Sequence, residues 1–225
     1  MIGFQILKRQ RQVNDRYIKS FRSIPVANIS DCMSRLTAAG ARLRPMHSSG
    51  RLVGPALTVK TRPGDNLMIH KALAMAQPGD VIVVDAGGDL TNALVGELMV
   101  TYAISRGIAG FVINGAIRDL DMIGAGAFPV FAAGVTHRGP YKDGPGEINV
   151  PIAIDGMVIN PGDLMVGDAD GVLCVAYEDV EAVWVAAKTK SEAEVKTLAH
   201  IAAGALDTAW IDAALTRMGC DPTPR

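Results

Sequence analysis

Residues 80–119, DVIVVDAGGDLTNALVGELMVTYAISRGIAGFVINGAIRD, contain two short apolar runs with a helix-like segment between them. The run at 80–86 is continuously apolar and bounded by turn residues, which is typical of a strand buried on both faces. Residues 92–107 have the pattern of a helix, and residues 108–114 form the second run. A strand, a helix and a strand in this order predict a parallel βαβ unit. We therefore expect an α/β protein.

Two full charges, Arg118 and Asp119, follow the second run. In α/β sheets, ligands bind beyond the carboxyl ends of the strands. The loop after the first run leads to Gly96 and Glu97, which we expect to face Arg118 and Asp119 across one crevice. Twenty residues lie between Glu97 and Arg118. The simpler alternatives are a surface salt bridge, or a helix start with Asp119 in a first turn that the helix dipole favours.

These residue types match a particular chemistry. An arginine fork fits a carboxylate or an enolate oxygen with two parallel hydrogen bonds. An aspartate with few other protein ligands suits Mg²⁺ or Mn²⁺, which complete their coordination with water and substrate oxygens. Backbone N–H groups at a helix N-terminus, here around Gly96 to Met99, bind carboxylates. Together they predict a pocket for a 2-oxo acid.

Pattern and turn signals outline the rest of the chain. We predict a polar helical lead-in over residues 1–24 and a short helix over Val26 to Ala39, with Ser30 or Asp31 as its cap. The remaining predictions are strands at 51–61, 128–134, 152–159, 163–168 and 171–176, helices at 65–76, 178–203 and 206–219, and a loop at 136–151. Pro-Gly-Asp occurs at 63–65, 78–80 and 161–163. Proline and glycine at these positions favour type II turns, so we interpret the repeat as a folding signal.

Composition narrows the class of protein. The 225 residues carry 22 basic and 23 acidic side chains, a net charge of −1, so no basic surface for nucleic acid is expected. Cys32, Cys174 and Cys220 are scattered, which argues against a disulfide framework or a zinc site and favours a reducing cytoplasm. The N-terminus becomes polar within a few residues, unlike a signal peptide. No apolar run approaches the roughly 18 residues that span a bilayer. We expect a cytoplasmic protein without membrane contact.

The segment GGDLTNALVGELMVTYAISRGIAGFVINGAIRDLDMI, residues 87–123, resembles the core of the RraA-like family. It is most similar to the aldolase branch, the 4-hydroxy-4-methyl-2-oxoglutarate/4-carboxy-4-hydroxy-2-oxoadipate aldolases, which also decarboxylate oxaloacetate. Members carry an acidic residue, twenty residues and then Arg-Asp. Glu97 stands here where the pattern often has Asp. The Pro-Gly-Asp turns and GDADGV at 167–172 also agree, so the resemblance covers about residues 25–180.

The resemblance implies one domain over residues 1–225 with the swivelling β/β/α fold, acting as a metal-dependent aldolase that releases pyruvate. Asp119 would bind Mg²⁺ or Mn²⁺, Arg118 would hold the pyruvyl oxygen, and a water organised by Glu97 would act as the base. Arg118 and Asp119 would then have separate roles and would not form a salt bridge with each other. Implied substrate contacts are Gly96, Glu97, Leu98, Met99 and Arg118.

The resemblance also implies a homotrimer or a dimer of trimers, with helices 178–219 in oligomer contacts. An acidic residue from a neighbour's C-terminal helix, Glu192 or Glu194, would complete the site. The sequence around these two residues matches no motif, so an ordinary solvated helix face is favoured there.

Three alternatives to the aldolase remain open at this stage. The family's namesake members are regulators that bind a ribonuclease without metal chemistry, but they lack the aspartate after the arginine. Residues 83–89, VVDAGGD, faintly resemble a methyl-donor loop but lack GxG. A Schiff-base aldolase needs a desolvated lysine, and Lys60 is the only positional candidate. The presence of Asp119 favours the metal-dependent aldolase.

Overall fold

The structure, a computed structural model, describes residues 2–37 and 39–223. The strands are β1 (Phe4–Ile6), β2 (Arg44–Pro45), β3 (Leu52–Thr61), β4 (Val81–Asp85), β5 (Ala93–Val95), β6 (Gly110–Ile117), β7 (Val130–Val135), β8 (Gly146–Ile148), β9 (Ile152–Ile154), β10 (Met157–Ile159), β11 (Leu164–Asp168) and β12 (Gly171–Val175). The α-helices are α1 (Asp15–Phe21), α2 (Val26–Cys32), α3 (Leu67–Met75), α4 (Glu97–Ser105), α5 (Leu120–Ala125), α6 (Val180–Ala202) and α7 (Ala209–Arg217). The chain divides into two compact units, residues 1–187 and 188–225.

The first unit is built on a mixed sheet with the order β1-β8-β3-β4-β6-β7-β2. Strands β4 and β6 are parallel neighbours in register from Val81 opposite Gly110 to Asp85 opposite Asn114, and α4 lies between them in the chain. The predicted α/β class and its βαβ unit are confirmed. Antiparallel pairing of β11 with β3 and β12 makes the sheet mixed.

Apolar side chains of the central strands alternate between two cores. Ile82 and Val84 of β4 belong to one cluster of buried residues, whereas Val81 and Val83 belong to another. Because successive residues of a strand point to opposite faces, this division means that the sheet is covered on both sides. The continuous apolar run at 80–86 follows from this double burial.

The prediction of one helix over residues 92–107 is wrong in its first turn. Residues 93–95 form β5, which pairs in parallel with the end of β6, with Ala93 opposite Ala116 and Val95 opposite Ile117. Buried Leu94 and Val95 join the core there. Helix α4 begins only at Glu97, after Gly96 in extended conformation at φ −150° and ψ −170°. Tertiary pairing thus overrides a segment whose spacing also fits a helix.

Other boundaries also differ from the predictions. The helical lead-in contains β1 and an extended stretch before α1. Helix α2 ends at Cys32, and its N-cap is Pro25, so Ser30 and Asp31 lie inside the helix. The predicted loop at 136–151 includes β8, which pairs with β1 and β3. The short strands have no strong sequence pattern of their own and form by pairing with the sheet.

The three Pro-Gly-Asp repeats are turns, as predicted. Their glycines have φ values of +76°, +90° and +89° at positions 64, 79 and 162. In each copy the aspartate N–H donates to the carbonyl three residues earlier, at 3.1 Å in all three. A positive φ at the third turn position is the signature of a type II turn, and glycine adopts it without steric cost.

The second unit consists of the end of α6 followed by α7. Along α6, Lys188 lies 3.8 Å from Glu192 and Lys190 lies 3.3 Å from Glu194, both with i,i+4 spacing. Such pairs are typical of a solvated helix face. Among the described residues, no helix combines the length and the apolar character needed to cross a membrane.

Candidate active site

Strand β5 brings Gly96 beside Arg118. The N–H of Arg118 donates to the carbonyl of Val95 at 3.0 Å, which continues the pairing of β5 with β6. One residue further on, Oδ2 of Asp119 accepts the N–H of Glu97 at 2.9 Å. The two loops predicted to share a crevice therefore meet directly.

The backbone of Asp119 is left-handed, with φ 58° and ψ 42°. It occupies the N-cap position of α5 but makes no side-chain capping bond there, so the predicted first-turn position is wrong by one residue. Its carboxylate instead faces the N-terminus of α4, where the helix dipole favours a negative charge. Among the described residues, Oδ1 of Asp119 receives no hydrogen bond. One carboxylate oxygen is thus held, and the other is available to a ligand.

Gly96 allows this close approach because it has no side chain. A Cβ atom at this position would lie 2.4 Å from Oδ2 of Asp119 and 3.0 Å from Cγ of Arg118. Real Cβ contacts do not occur at such distances, so any other residue would displace the Arg118-Asp119 pair. Close backbone approach, and not conformational freedom, explains the glycine.

The guanidinium of Arg118 is free to bind a ligand. Its Nε lies 3.7 Å from Oδ2 of Asp119, which is ion-pair distance but too long for a hydrogen bond. The prediction that Arg118 and Asp119 form no salt bridge therefore needs correction, because they lie at ion-pair distance. Within the described part of the chain the guanidinium makes no hydrogen bond, and its side chain is 43% exposed. All five of its N–H donors therefore remain available.

Of the backbone N–H groups of Gly96 to Met99, some are occupied by other groups of the protein and some are free. The N–H of Glu97 is taken by Asp119, and the N–H of Met99 donates to the carbonyl of Gly96 at 3.1 Å. The N–H groups of Gly96 and Leu98 have no partner among the residues described here. Only these two are ready to receive a carboxylate.

A cavity of about 150 Å³ lies between these groups. Its lining consists of Asn66, His70, Ala93, Leu94, Val95, Gly96, Leu98, Met99, Arg118, Asp119, Pro140 and Lys142. Five of the six predicted site residues line it. Glu97 does not, because its exposed side chain lies outside while its backbone N–H holds Asp119.

Three polar lining residues were not predicted. Asn66 is buried and donates to the carbonyl of Leu94 at 2.9 Å, and its own Oδ1 has no hydrogen-bond partner among the described residues. His70 lies on α3, and Lys142 lies in the 136–151 loop. No single motif marks them, because they approach the cavity from segments more than 70 residues apart. The turn at 63–65, which leads directly into Asn66, was the available signal.

The cavity has a cationic side. Burial lowers the pKa of His70 below its ordinary value, and the charge of Lys142 lowers it further. His70 is therefore neutral at pH 7 and can donate or accept a hydrogen bond. The lining also contains two basic side chains, Arg118 and Lys142, against the single carboxylate of Asp119. This balance suits an anionic ligand.

Replacing Lys142 by methionine is expected to raise the pKa of His70. The rise should be partial, since burial is the larger cause and remains. A proton NMR titration of the His70 ring, assigned with His70→Gln, measures the change. Lys71→Met, on the same helix, is the control and should leave the titration unchanged. An unaltered His70 pKa in Lys142→Met would contradict the proximity of Lys142 to His70.

The donor set fits a hard divalent cation with few protein ligands. The described residues contain no group of three His, Cys, Asp or Glu side chains able to hold a metal. Mg²⁺ does not need one, because it commonly binds one or two carboxylates and keeps several waters or substrate oxygens. The unpartnered Oδ1 of Asp119 provides such a ligand beside the cavity.

Known proteins resemble this chain in sequence. Residues 26–174 match the family described as RraA-like, Aldolase/RraA. The chain belongs to the RraA-like family. A protein of Halalkalibacterium halodurans named "Putative 4-hydroxy-4-methyl-2-oxoglutarate aldolase" is 47% identical over 174 residues, which cover 77% of this chain and 83% of that protein.

Solved structures of RraA-like proteins share the fold. The RNA-processing inhibitor RraA from Thermus thermophilis superposes with a TM-score of 0.62 at 29% identity, covering 67% of this chain and 92% of that one. A Geobacillus kaustophilus HTA426 structure described as S-adenosylmethionine: 2-dimethylmenaquinone methyltransferase gives 0.64 at 32% identity, covering 71% and 98%. Proteins with the RraA-like fold thus have several different functional names. The aldolase name is that of relatives such as the H. halodurans protein.

Proposed function

We propose that this RraA-like protein is a divalent-metal-dependent aldolase. It cleaves a 4-hydroxy-2-oxo di- or tricarboxylic acid to pyruvate and a second oxo acid, and it decarboxylates oxaloacetate. The observation that carries the proposal is that Oδ1 of Asp119 and the guanidinium of Arg118, neither of which makes a hydrogen bond within the described residues, lie at one cavity. The aldolase names of relatives support the reaction class.

The chain's own groups supply binding and charge stabilisation. The free N–H groups of Gly96 and Leu98 receive the C1 carboxylate of the substrate. Arg118 directs its fork at the 2-oxo oxygen, where negative charge develops as the C3–C4 bond breaks and its electrons form the enolate of pyruvate. Removal of the 4-hydroxyl proton accompanies cleavage, and protonation at C3 completes the product. In oxaloacetate, CO₂ leaves in place of the carbonyl product.

Asp119 would hold Mg²⁺ or Mn²⁺ through Oδ1, while Glu97 N–H keeps the carboxylate oriented through Oδ2. When bound, the cation supplies Lewis-acid stabilisation of the developing enolate charge. Glu97 keeps its proposed role, which is to organise the water that acts as the base. Its exposed carboxylate lies at the first residue of α4, beside the cavity but outside its lining.

The cationic side of the cavity fits the distal half of the substrate. Lys142 offers a charge for a second carboxylate, as in oxaloacetate, and neutral His70 offers a hydrogen bond. Substrates with two or more carboxylates should therefore be preferred to those with one.

Purified protein with oxaloacetate and Mg²⁺ is expected to release pyruvate, measured by coupling to lactate dehydrogenase. Excess EDTA should abolish release above the background of metal alone, and added Mg²⁺ should restore it. Full activity in EDTA would contradict the metal mechanism. No pyruvate from oxaloacetate or from 4-hydroxy-4-methyl-2-oxoglutarate, together with binding to a ribonuclease, would favour the non-catalytic regulator instead.

A further inference from the structure

Two of the three Pro-Gly-Asp turns use their aspartates to close the turn itself. Asp80 accepts the N–H of Gln77 at 2.9 Å, and Asp163 accepts the N–H of Asn160 at 2.8 Å. In both cases the donor is the residue that opens the same turn. These two side chains are 2% and 1% exposed. The two carboxylates also bind other segments, because Asp80 accepts from the Arg9 guanidinium at 2.6 Å and Asp163 accepts the N–H of Tyr177 at 3.0 Å, but neither of these partners lines the cavity.

Asp65 is equally buried, with an exposed fraction of 0%. Its carboxylate accepts from the Arg62 side chain of its own turn at 3.2 Å and also binds two other segments. The N–H of Arg62, which opens this turn, donates to the carbonyl of Pro145 instead. Oδ2 of Asp65 accepts the N–H groups of Asp143 and Gly144 at 2.7 and 2.9 Å. A buried carboxylate thus holds a loop 78 residues away in the chain.

The other oxygen of Asp65 holds helix α3. Oδ1 accepts the N–H of Leu67, the first residue of that helix, at 2.9 Å. His70 lies one turn further along α3, and Lys142 immediately precedes the loop residues that Oδ2 binds. Both of these side chains line the cavity. One carboxylate therefore joins the two segments that form its cationic side.

Further hydrogen bonds connect the same two segments to strand β5, close to Gly96. Asn66 N–H donates to the carbonyl of Tyr141 at 3.0 Å, and Tyr141 N–H donates to the carbonyl of Gly64 at 2.8 Å. The amide of Asn66 then reaches the carbonyl of Leu94 in β5, two residues before Gly96. Displacement of the loop would be transmitted to this amide and to Lys142.

We propose that Asp65 is a positioning residue for substrate binding, which acts by fixing the Lys142 loop against helix α3. The role rests on the proposed function, because it assumes that Lys142 contacts the substrate. The two carboxylate oxygens of Asp65 accept three backbone N–H groups, beside the Arg62 guanidinium. Asparagine has one acceptor oxygen and cannot serve both sides.

Asp65→Asn is expected to raise the KM for oxaloacetate about tenfold while kcat changes less than about threefold. Asp80→Asn and Asp163→Asn are matched controls, since they alter equally buried carboxylates in the same turn motif. Both should lower the melting temperature without changing KM. An equal rise of KM in all three variants would show a general structural effect and overturn the positioning role.

A double-mutant cycle tests whether Asp65 acts through Lys142. In a Lys142→Met background, Asp65→Asn should raise KM by much less than it does alone, since coupled residues are not additive. Fully additive effects would overturn the proposed route. If Asp65→Asn does not fold, Asp143→Pro removes one bound N–H from the exposed loop, and Asp143→Ala retains it. KM should then rise in the proline variant only, and equal KM values would overturn the role.

Hydrogen exchange provides a readout that does not depend on activity. In Asp65→Asn, amides of residues 141–144 should exchange at least about tenfold faster, whereas Asp80→Asn should leave them unchanged. Failure of the wild-type protein to release pyruvate would refute the proposed function. The exchange result would still test whether Asp65 fixes the loop at residues 141–144. Unchanged exchange at residues 141–144 in Asp65→Asn would overturn the inference.

Discussion

Asp119→Ala is expected to lower pyruvate release from oxaloacetate by at least about 10³-fold at saturating Mg²⁺. The substitution removes the proposed metal ligand, Oδ1, and also the acceptor that holds the N–H of Glu97. Steady-state kinetics across a range of Mg²⁺ concentrations measure the loss. High Mg²⁺ should not restore the rate, because the remaining lining contains no second carboxylate.

Two variants separate charge from shape at this position. Asp119→Asn keeps an oxygen for the N–H of Glu97 and tolerates the left-handed backbone, so it should fold normally and still be inactive. Asp121→Ala, two residues further on, removes an exposed carboxylate outside the cavity and should retain activity. An active Asp119→Asn enzyme would contradict metal binding by this carboxylate.

Gly96→Ala should lower kcat/KM about 10²-fold, although it adds one methyl group. The Cβ would meet Oδ2 of Asp119 at 2.4 Å and the Arg118 side chain at 3.0 Å, so both groups must move. A displacement of this kind is costly because catalysis depends on preorganised geometry.

Gly124→Ala is the matched control for this prediction. Its Cβ would lie 3.7 Å from the carbonyl of Met46, an ordinary contact, and it is outside the cavity. Kinetics and melting temperature should both stay near wild type for Gly124→Ala. Gly96→Ala should show a large kinetic loss with a much smaller change in melting temperature. Equal kcat/KM values for Gly96→Ala and wild type would contradict the fit.

The central βαβ unit was predictable because strands buried on both faces leave a continuous apolar run in the sequence. The positions of Arg118 and Asp119 followed, since they end such a strand. Strand β5 was not predictable, because its three apolar residues also suit the helix they precede. It is stabilised by pairing with β6, a contact that local spacing does not encode.

The cationic side of the cavity was missed for a related reason. His70 and Lys142 have no motif, and their segments are joined by the Asp65 carboxylate and by backbone hydrogen bonds at Tyr141. The sequence showed three identical Pro-Gly-Asp turns, and their shared turn geometry was predicted correctly. It could not show that one of these aspartates joins the two segments that carry His70 and Lys142, since that depends on where Pro145 and the loop before it lie.

The left-handed backbone of Asp119 has a consequence for engineering this protein. Glycine adopts that conformation without the penalty of about 1 kcal/mol that a side chain incurs, and asparagine adopts it readily. Laboratory evolution that selects for heat resistance alone would therefore favour replacements at this position. Thermostable descendants would accumulate with an intact fold and no metal ligand. Selection needs a catalytic readout in every round.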